Sequence, residues 1–411
     1  MTINTPSLQI SEKVKRIPEA MSIYINQLVY DQKRKGKDIV VLSLGEAFFD
    51  IPIFDLSKLD FVKGYHYSDS QGIPELREKI VHFYKKQYGA DINSKDEILI
   101  TAGSKPVIYF AMQATLNPGD EALIHEPGWL SYQEQLRIVG AEPRFIPYDI
   151  PTKDFHKYFT EKTRMLVINN PNNPAGRVYT LEELKSLYEQ CRPKGIYILV
   201  DEAYSDFVSG DKFHTMTKLV PDKDGIIVVN SLSKNMGMSG WRVGYVITTA
   251  NLIKNILKLN QHIITCAPTI LQYYMARYFE DVITITLPQV KDVVAKRERI
   301  AKLVDDLGLK RMEGNSTFYF LVSIADFPGS SLDFALYMLL FNQVSVVPGS
   351  AYGKSCARFV RVGIGAESEE RISNALYLFR DLINVKAYDP LHVHLRLEKE
   401  GFHLFEESID V

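Results

Sequence analysis

Through the middle of the chain, short apolar runs alternate with stretches where apolar residues recur every three or four positions. Glu97–Thr101, Glu121–His125, Arg144–Pro147, Met165–Asn169, Ile196–Asp201, Ile226–Asn230 and Arg242–Thr248 have the length and composition of strands. Most are apolar on both faces, and helical periods fall between several of them. That pattern predicts a mostly parallel sheet covered by helices on both sides, an α/β fold. Thr180-Leu-Glu-Glu183 has the spacing of a capping box and predicts a helix running to about Cys191. Pro74 suits the first turn of a helix that starts near Ile73.

Both ends of the chain read differently. Residues 1–36 predict a helical arm, with Ile23, Ile25, Leu28 and Val29 on a helical period, and Ile39–Leu44 predicts a strand running into Gly45. The segment Glu46–Pro52 is apolar for a loop, which predicts a cover over it. Past about residue 280 a long charged helix, Leu287 to about Leu307, precedes strands near Thr317–Val322 and Phe359–Val362, with helices at 331–341 and 367–385. These elements predict a smaller α+β domain. The resulting division is 1–50 for the arm and part of the small domain, 51–285 for the large domain and 286–411 for the C-terminal small domain. From Pro390 onward the chain carries no readable motif.

Composition narrows the class. The 411 residues are 46% hydrophobic and 24% charged, as in ordinary globular proteins of about two to three domains. A net charge of −2 gives no electrostatic case for nucleic acid or an anionic membrane. No apolar run approaches the roughly 18 residues that cross a bilayer, and the first residues lack the pattern of a secretory signal. Cys191, Cys266 and Cys356 are far apart, in no metal-like spacing, which predicts a reducing, cytoplasmic setting and no metal.

In an open parallel sheet, ligands sit at the carboxyl ends of the strands, and there this chain collects its chemistry. Ile226–Asn230 runs into Ser231-Leu-Ser-Lys234, with Arg242 eight positions on. A lysine can form a Schiff base with a carbonyl, and hydroxyls with an arginine can hold a phosphate. One common cofactor has both an aldehyde and a phosphate: pyridoxal 5′-phosphate. Taken singly, a Ser/Gly-rich loop after a strand is ordinarily just a loop. Gly103-Ser104-Lys105, at a strand-to-helix turn, forms either a plain turn or a phosphate nest. Trp129 is either a rim residue or a platform for a flat ring. Asn170-Pro-Asn-Asn-Pro-Ala-Gly176 makes a turn for local reasons or aims an amide at a ligand. Asp201-Glu-Ala-Tyr204 closes an apolar strand with a carboxylate that is expensive to bury unless a cation, such as a protonated pyridine nitrogen, lies nearby.

Together, in order, these motifs resemble those of the fold-type I pyridoxal-phosphate enzymes of the class I/II aminotransferase family, from about Val14 to Leu382. The similar features are the tyrosine loop ending at Gly72, Gly103-Ser-Lys105, Trp129, Asn172-Asn-Pro-Ala-Gly176, Asp201-Glu-Ala-Tyr204, Ser231-Leu-Ser-Lys234, Arg242 and Arg361. The resemblance implies that Lys234 carries the Schiff base and moves protons, while Asp201 pairs with the pyridinium. It implies that Tyr204 and Asn173 bond the ring oxygen and that Trp129 stacks on the ring. Gly103, Ser104, Lys105, Ser231, Ser233 and Arg242 would hold the phosphate, with Tyr67 reaching it from the second subunit of a homodimer with shared sites. Gly45, Asn173 and Arg361 would contact the substrate, Arg361 gripping its α-carboxylate. Ala47-Phe48-Phe49, Ala175 and Ile264–Pro268 depart from the family's usual residues at the border of the substrate pocket. The implied function is amino-group transfer between an α-amino acid and a 2-oxo acid. The same scaffold also hosts lyases, decarboxylases, oxidases and cyclases, as well as non-catalytic binding proteins.

Overall fold

The computed structural model describes residues 8–210, 213–385 and 387–405. The first seven residues of the expected arm and the last six of the tail therefore lie outside the described residues. The central sheet has seven strands: β2 (Ile98–Thr101), β3 (Glu121–His125), β4 (Glu142–Ile146), β5 (Thr163–Asn169), β6 (Tyr197–Asp201), β7 (Ile226–Ser231) and β8 (Gly244–Ile247). Their order is β2-β8-β7-β6-β5-β3-β4, parallel throughout except that β8 runs against both its neighbours. β6 and β7 are almost wholly buried, as strands covered on both faces must be. Two apolar layers sandwich the sheet. One gathers Leu123, Leu166, Ile198 and Val228, the other Ala122, Val167, Leu199 and Val229, so alternate residues of each strand face opposite layers.

A second body is built from both chain ends. β1 (Val40–Val41) pairs with β10 (Val344–Ser345), and β9 (Tyr319–Ser323), β11 (Val347–Pro348) and β12 (Phe359–Gly363) form an antiparallel sheet in the order β11-β12-β9. The helix Met21–Arg34 buries Tyr24, Ile25, Leu28 and Val29 in the same apolar cluster as Phe320, Val360 and Leu376. Ile23, assigned to that face from its period, is 56% exposed.

The capping box forms as expected. Thr180 Oγ1 accepts from Glu183 N at 3.1 Å, and Thr180 N donates to Glu183 Oε2 at 2.9 Å. Other elements differ from the sequence pattern. The strand expected over 39–44 is only two residues long: Leu42 N still donates to the Ser345 carbonyl of β10 at 3.0 Å, but the Leu42 carbonyl turns to accept from Gly363 N at 2.7 Å. The fourth strand starts two residues before its predicted position. The helical run begins at Thr269, not Leu287: two helices meet in a kink at Tyr278, and Pro288 lies inside the second. Its apolar face continues back through Tyr274 and Met275. The tail folds into the helix Pro390–Glu400, which has only two buried residues, Val393 and Leu397, too few to stand out in the sequence. Glu400 ties it to the chain just past the helix Met21–Arg34, through Lys35 and Lys37. Of the apolar loop Glu46–Pro52, Ala47 is buried but Phe48 is 63% exposed. Among the described residues no helix is long and apolar enough to cross a membrane.

Candidate active site

The register of three strands assembles the cluster. Asn169 lies opposite Asp201 and Asp201 opposite Val229. The turn after β5, the Asp201–Tyr204 segment and the Ser231–Lys234 segment therefore open on one edge. Asn169 Nδ2 and Asn170 N both donate to the Asp201 carbonyl, at 2.7 and 2.9 Å, which locks the first two together.

Lys234 Nζ donates to the Gly45 carbonyl at 2.6 Å and lies 5.6 Å from the centre of the Tyr204 ring. Burial pushes its pKa down to about 8, against the opposing pull of Glu46 and Asp201. Asp201 is buried. Its Oδ2 accepts from Tyr132 Oη at 2.7 Å and its Oδ1 from Ala203 N at 3.1 Å. Burial raises its pKa, while the Tyr132 bond pulls the other way and favours the carboxylate. Tyr204 Oη stands 2.9 Å from Tyr319 Oη and accepts from Asn173 Nδ2 at 3.3 Å. Asn173 Oδ1 is buried with no hydrogen-bond partner.

Arg361 closes the far side. It projects from β12, 5% exposed, and Nη2 donates to the Ser43 carbonyl at 2.6 Å. Its guanidinium lies 4.5 Å from the Tyr319 ring centre and 5.5 Å from that of Tyr352, and Nε has no partner. Glu46 joins the loop after β1 to the lysine segment, accepting from Ser239 Oγ at 2.6 Å.

The neighbouring edge joins Gly103 to Arg242. Gly103 has φ +96° and is the N-cap of the helix Ser104–Thr115, and a Cβ there would come 2.5 Å from Arg242 Nη2. Gly244 is equally constrained, since its Cβ would meet Ser104 N at 2.3 Å. Arg242 is exposed in the left-handed region and donates from Nη1 to the Ser239 carbonyl at 2.6 Å. Ser231 is buried, and its Oγ accepts from Ser233 N at 3.4 Å. Lys105 Nζ lies 5.1 Å from the Trp129 ring centre, its pKa lowered by desolvation and by Arg242. Trp129 meets Tyr132 edge-on at 5.3 Å.

Within the chain, Lys234, Asp201, Tyr204, Asn173, Gly45 and Arg361 thus come together, with Gly103, Ser104 and Arg242 beside one another. Tyr67 does not join them. It is 84% exposed, and no hydrogen bond among the described residues links it to the cluster. Sequence reasoning missed Tyr132, Tyr319, Tyr352 and Glu46. Tyr132 lies one helical turn after Trp129, the only local signal any of the four offered.

Residues 31–377 match the family model of aminotransferase class I and II. The chain belongs to this family. It is a pyridoxal-phosphate-dependent aminotransferase of fold type I. Among relatives of this aminotransferase is the (5-formylfuran-3-yl)methyl phosphate transaminase of Methanocaldococcus jannaschii, 33% identical, with 85% of this chain and 93% of that protein aligned. The aspartate aminotransferase of Pyrococcus horikoshii is also 33% identical, over 85% of this chain and 91% of its own. Among solved structures, the aspartate aminotransferase of Thermus thermophilus with maleate superposes with a TM-score of 0.84 at 26% identity, covering 92% of this chain and all (100%) of that one.

Proposed function

We propose that this aminotransferase moves an amino group between an α-amino acid and a 2-oxo acid at the edge formed by β5, β6 and β7. The observation that carries the reading is Lys234: a lysine with its pKa brought down to about 8, facing a buried carboxylate, a tyrosine pair and a buried arginine. The residues fit pyridoxal phosphate. Asp201 has no cation within ion-pair distance among the described residues, so a protonated ring nitrogen would complete it. Asn173 Oδ1 and Arg361 Nε are polar atoms left without partners. Gly103 keeps open a cradle beside Arg242 and the first N–H groups of a helix, a setting suited to phosphate.

When bound, the cofactor supplies an aldehyde for covalent attachment and a ring that withdraws electrons from the carbon losing its proton. Lys234 Nζ would hold that aldehyde, and its free amine would serve as the base that takes a proton from the substrate Cα and gives one back. Asp201 would keep the ring nitrogen protonated. Tyr204, beside Asn173, would donate to the ring oxygen, and Trp129 would offer its indole to the ring. The Gly103-Ser104-Lys105 turn, Ser231, Ser233 and Arg242 hold the phosphate. Arg361 grips the α-carboxylate in the plane of its guanidinium, next to Gly45 and Asn173. The relatives named for aspartate support a carboxylate-bearing donor.

The same reading extends to assembly. Val62, Tyr65 and Tyr67 are 69%, 79% and 84% exposed, an apolar and aromatic stretch that a second copy would cover. We assign a homodimer in which Tyr67 completes the partner's phosphate site. Mixing Lys234→Ala subunits with inactive Tyr67→Phe subunits should restore activity, and a fully active monomer in sedimentation would refute shared sites. The grouping of 1–50 with 286–411 is supported by the apolar cluster that joins Tyr24–Ala47 to Val290–Leu397 and takes in only Ala203, Tyr204 and Phe207 among the buried residues of 51–285. Three free thiols, two of them buried, support a cytoplasmic setting.

The function is tested by screening amino donors, a carboxylate-free amine included, against several 2-oxo acids while following the cofactor's absorbance. Donor-dependent loss of the aldehyde form, reversed by an oxo acid, is expected. Decarboxylation, elimination or oxidation of the donor without such reversal would overturn the reading.

A further inference from the structure

One buried side chain between Tyr204 and Arg361 has no part in the roles above. Tyr319, the first residue of β9, is 0% exposed. Its hydroxyl stands 2.9 Å from Tyr204 Oη, and its ring centre lies 4.5 Å from the Arg361 guanidinium carbon. A Cβ on Gly45 would come 3.3 Å from the same hydroxyl. One tyrosine therefore touches three members of the cluster.

The donor arithmetic gives that hydroxyl a direction. Each phenol has one proton and can also accept. Burial raises the pKa of both Tyr204 and Tyr319, so both protons stay in place near neutral pH. Asn173 Nδ2 already donates to the Tyr204 oxygen at 3.3 Å. For Tyr204 to give its own proton to an acceptor in the cleft, the 2.9 Å bond must run from Tyr319 to Tyr204. A phenol that accepts a hydrogen bond is also a stronger donor in a low-dielectric interior.

The strand behind is held firmly. Arg297 is 2% exposed and donates from Nε to the Tyr319 carbonyl at 3.2 Å, with its guanidinium 4.4 Å from the Phe320 ring centre. It has no carboxylate within ion-pair distance among the described residues, and burial pushes its pKa down to about 9. Its Nη2 would lie 2.8 Å from a Cβ on Gly176, so it wedges between β9 and the turn that carries Asn173. An unpaired buried guanidinium is costly, and here it fixes the backbone on which Tyr319 is mounted.

We propose that Tyr319 is a positioning residue with two separable actions: its hydroxyl turns the Tyr204 proton toward the cofactor, and its ring holds the Arg361 guanidinium in the plane that receives the carboxylate. The proposal rests on the reading of Tyr204 and Arg361 given above. Lys234, Asp201, Glu46 and Arg361 are the charged groups that act on this tyrosine pair, and the variants below keep all four.

The test compares wild-type, Tyr204→Phe, Tyr319→Phe and Tyr319→Leu holoenzymes. The first measurement is the pH midpoint at which the bound cofactor's absorbance changes. The second is KM against kcat for one α-amino acid, and the third is the affinity of each apoenzyme for the cofactor. Tyr319→Phe should raise the midpoint by about half a pH unit, with KM within about twofold of wild type. Tyr319→Leu should raise the midpoint equally and also raise KM about thirtyfold, the scale of a desolvated cation–π contact. A merely structural role would weaken cofactor affinity and stability in both variants without this split, and that result would overturn the inference. A midpoint moved by Tyr204→Phe but not by Tyr319→Phe would overturn the inference alone. A midpoint unmoved by Tyr204→Phe would overturn the role of Tyr204, and that of the Tyr319 hydroxyl with it.

Discussion

Arg242 and Arg361 carry the same guanidinium at two ends of the cleft. Arg242 stands exposed on a left-handed backbone and is tied to a carbonyl of its own loop. Arg361 is 5% exposed, set between two tyrosine rings and tied to the carbonyl of Ser43, 318 positions away in sequence. Water screens the first and leaves it free to adjust, so its charge matters more than its shape. The second has given up its hydration and cannot swing away, so the planar fork matters as much as the charge. At the exposed end the arginine's hydrogen bond stays within its own loop. The buried end exists only after both chain ends have packed together.

The largest effect that can break this contrast is at Asp201, on the buried side. Asp201→Ala should slow exchange of the substrate Cα proton by on the order of 3–5 kcal/mol, the scale for removing a buried charge partner. Asp201→Glu, still anionic, should retain more. Near-wild-type proton exchange in Asp201→Ala would mean that this carboxylate does not serve the ring. Next comes Arg361→Lys, which keeps the charge and loses the fork. It should weaken amino-acid binding by about 1.5–3 kcal/mol while leaving cofactor affinity unchanged, both readable by titration.

Lys234 sharpens the contrast through pH. Its pKa is lowered to about 8 by burial, and the neutral amine is the form that attacks an aldehyde. The rate at which apoenzyme takes up cofactor covalently should therefore rise about tenfold per unit up to pH ~8 and then level. A screened, solvent-like lysine would keep rising beyond pH ~10. Smallest is Arg242→Lys, which should cost less than about 1 kcal/mol of cofactor affinity, a loss that added salt further reduces. An effect as large as that of Arg361→Lys would erase the distinction between the two ends.

The same distinction separates what the sequence disclosed from what it concealed. Asp201 ends an apolar strand, and Asn173 and Lys234 come within a few residues after one, so their place at the sheet's carboxyl edge follows from position alone. Gly103 and Arg242 stand out through glycine and serine around them. Tyr319 lies between Phe318 and Phe320, where alternation gives no contrast, and its partner Tyr204 is 115 residues away. Tyr132 reaches Asp201 across 69 residues. Such contacts come from packing, which no local pattern encodes. The mistaken helix start at Leu287 has a local cause: Pro288 fits a first turn, yet it is carried inside a helix that starts just after Tyr278 and buries Phe279, Val282 and Thr286 ahead of it.

The account depends most on Lys234 being the lysine joined to the cofactor, and Lys105, near Trp129 and Arg242, is the competitor in the same region. Reducing the holoenzyme with borohydride fixes that bond, and peptide mapping then locates it. The account predicts the modification on Lys234, and its absence from Lys234→Ala protein treated in the same way. Modification of Lys105 or any other lysine in the wild-type enzyme would contradict it.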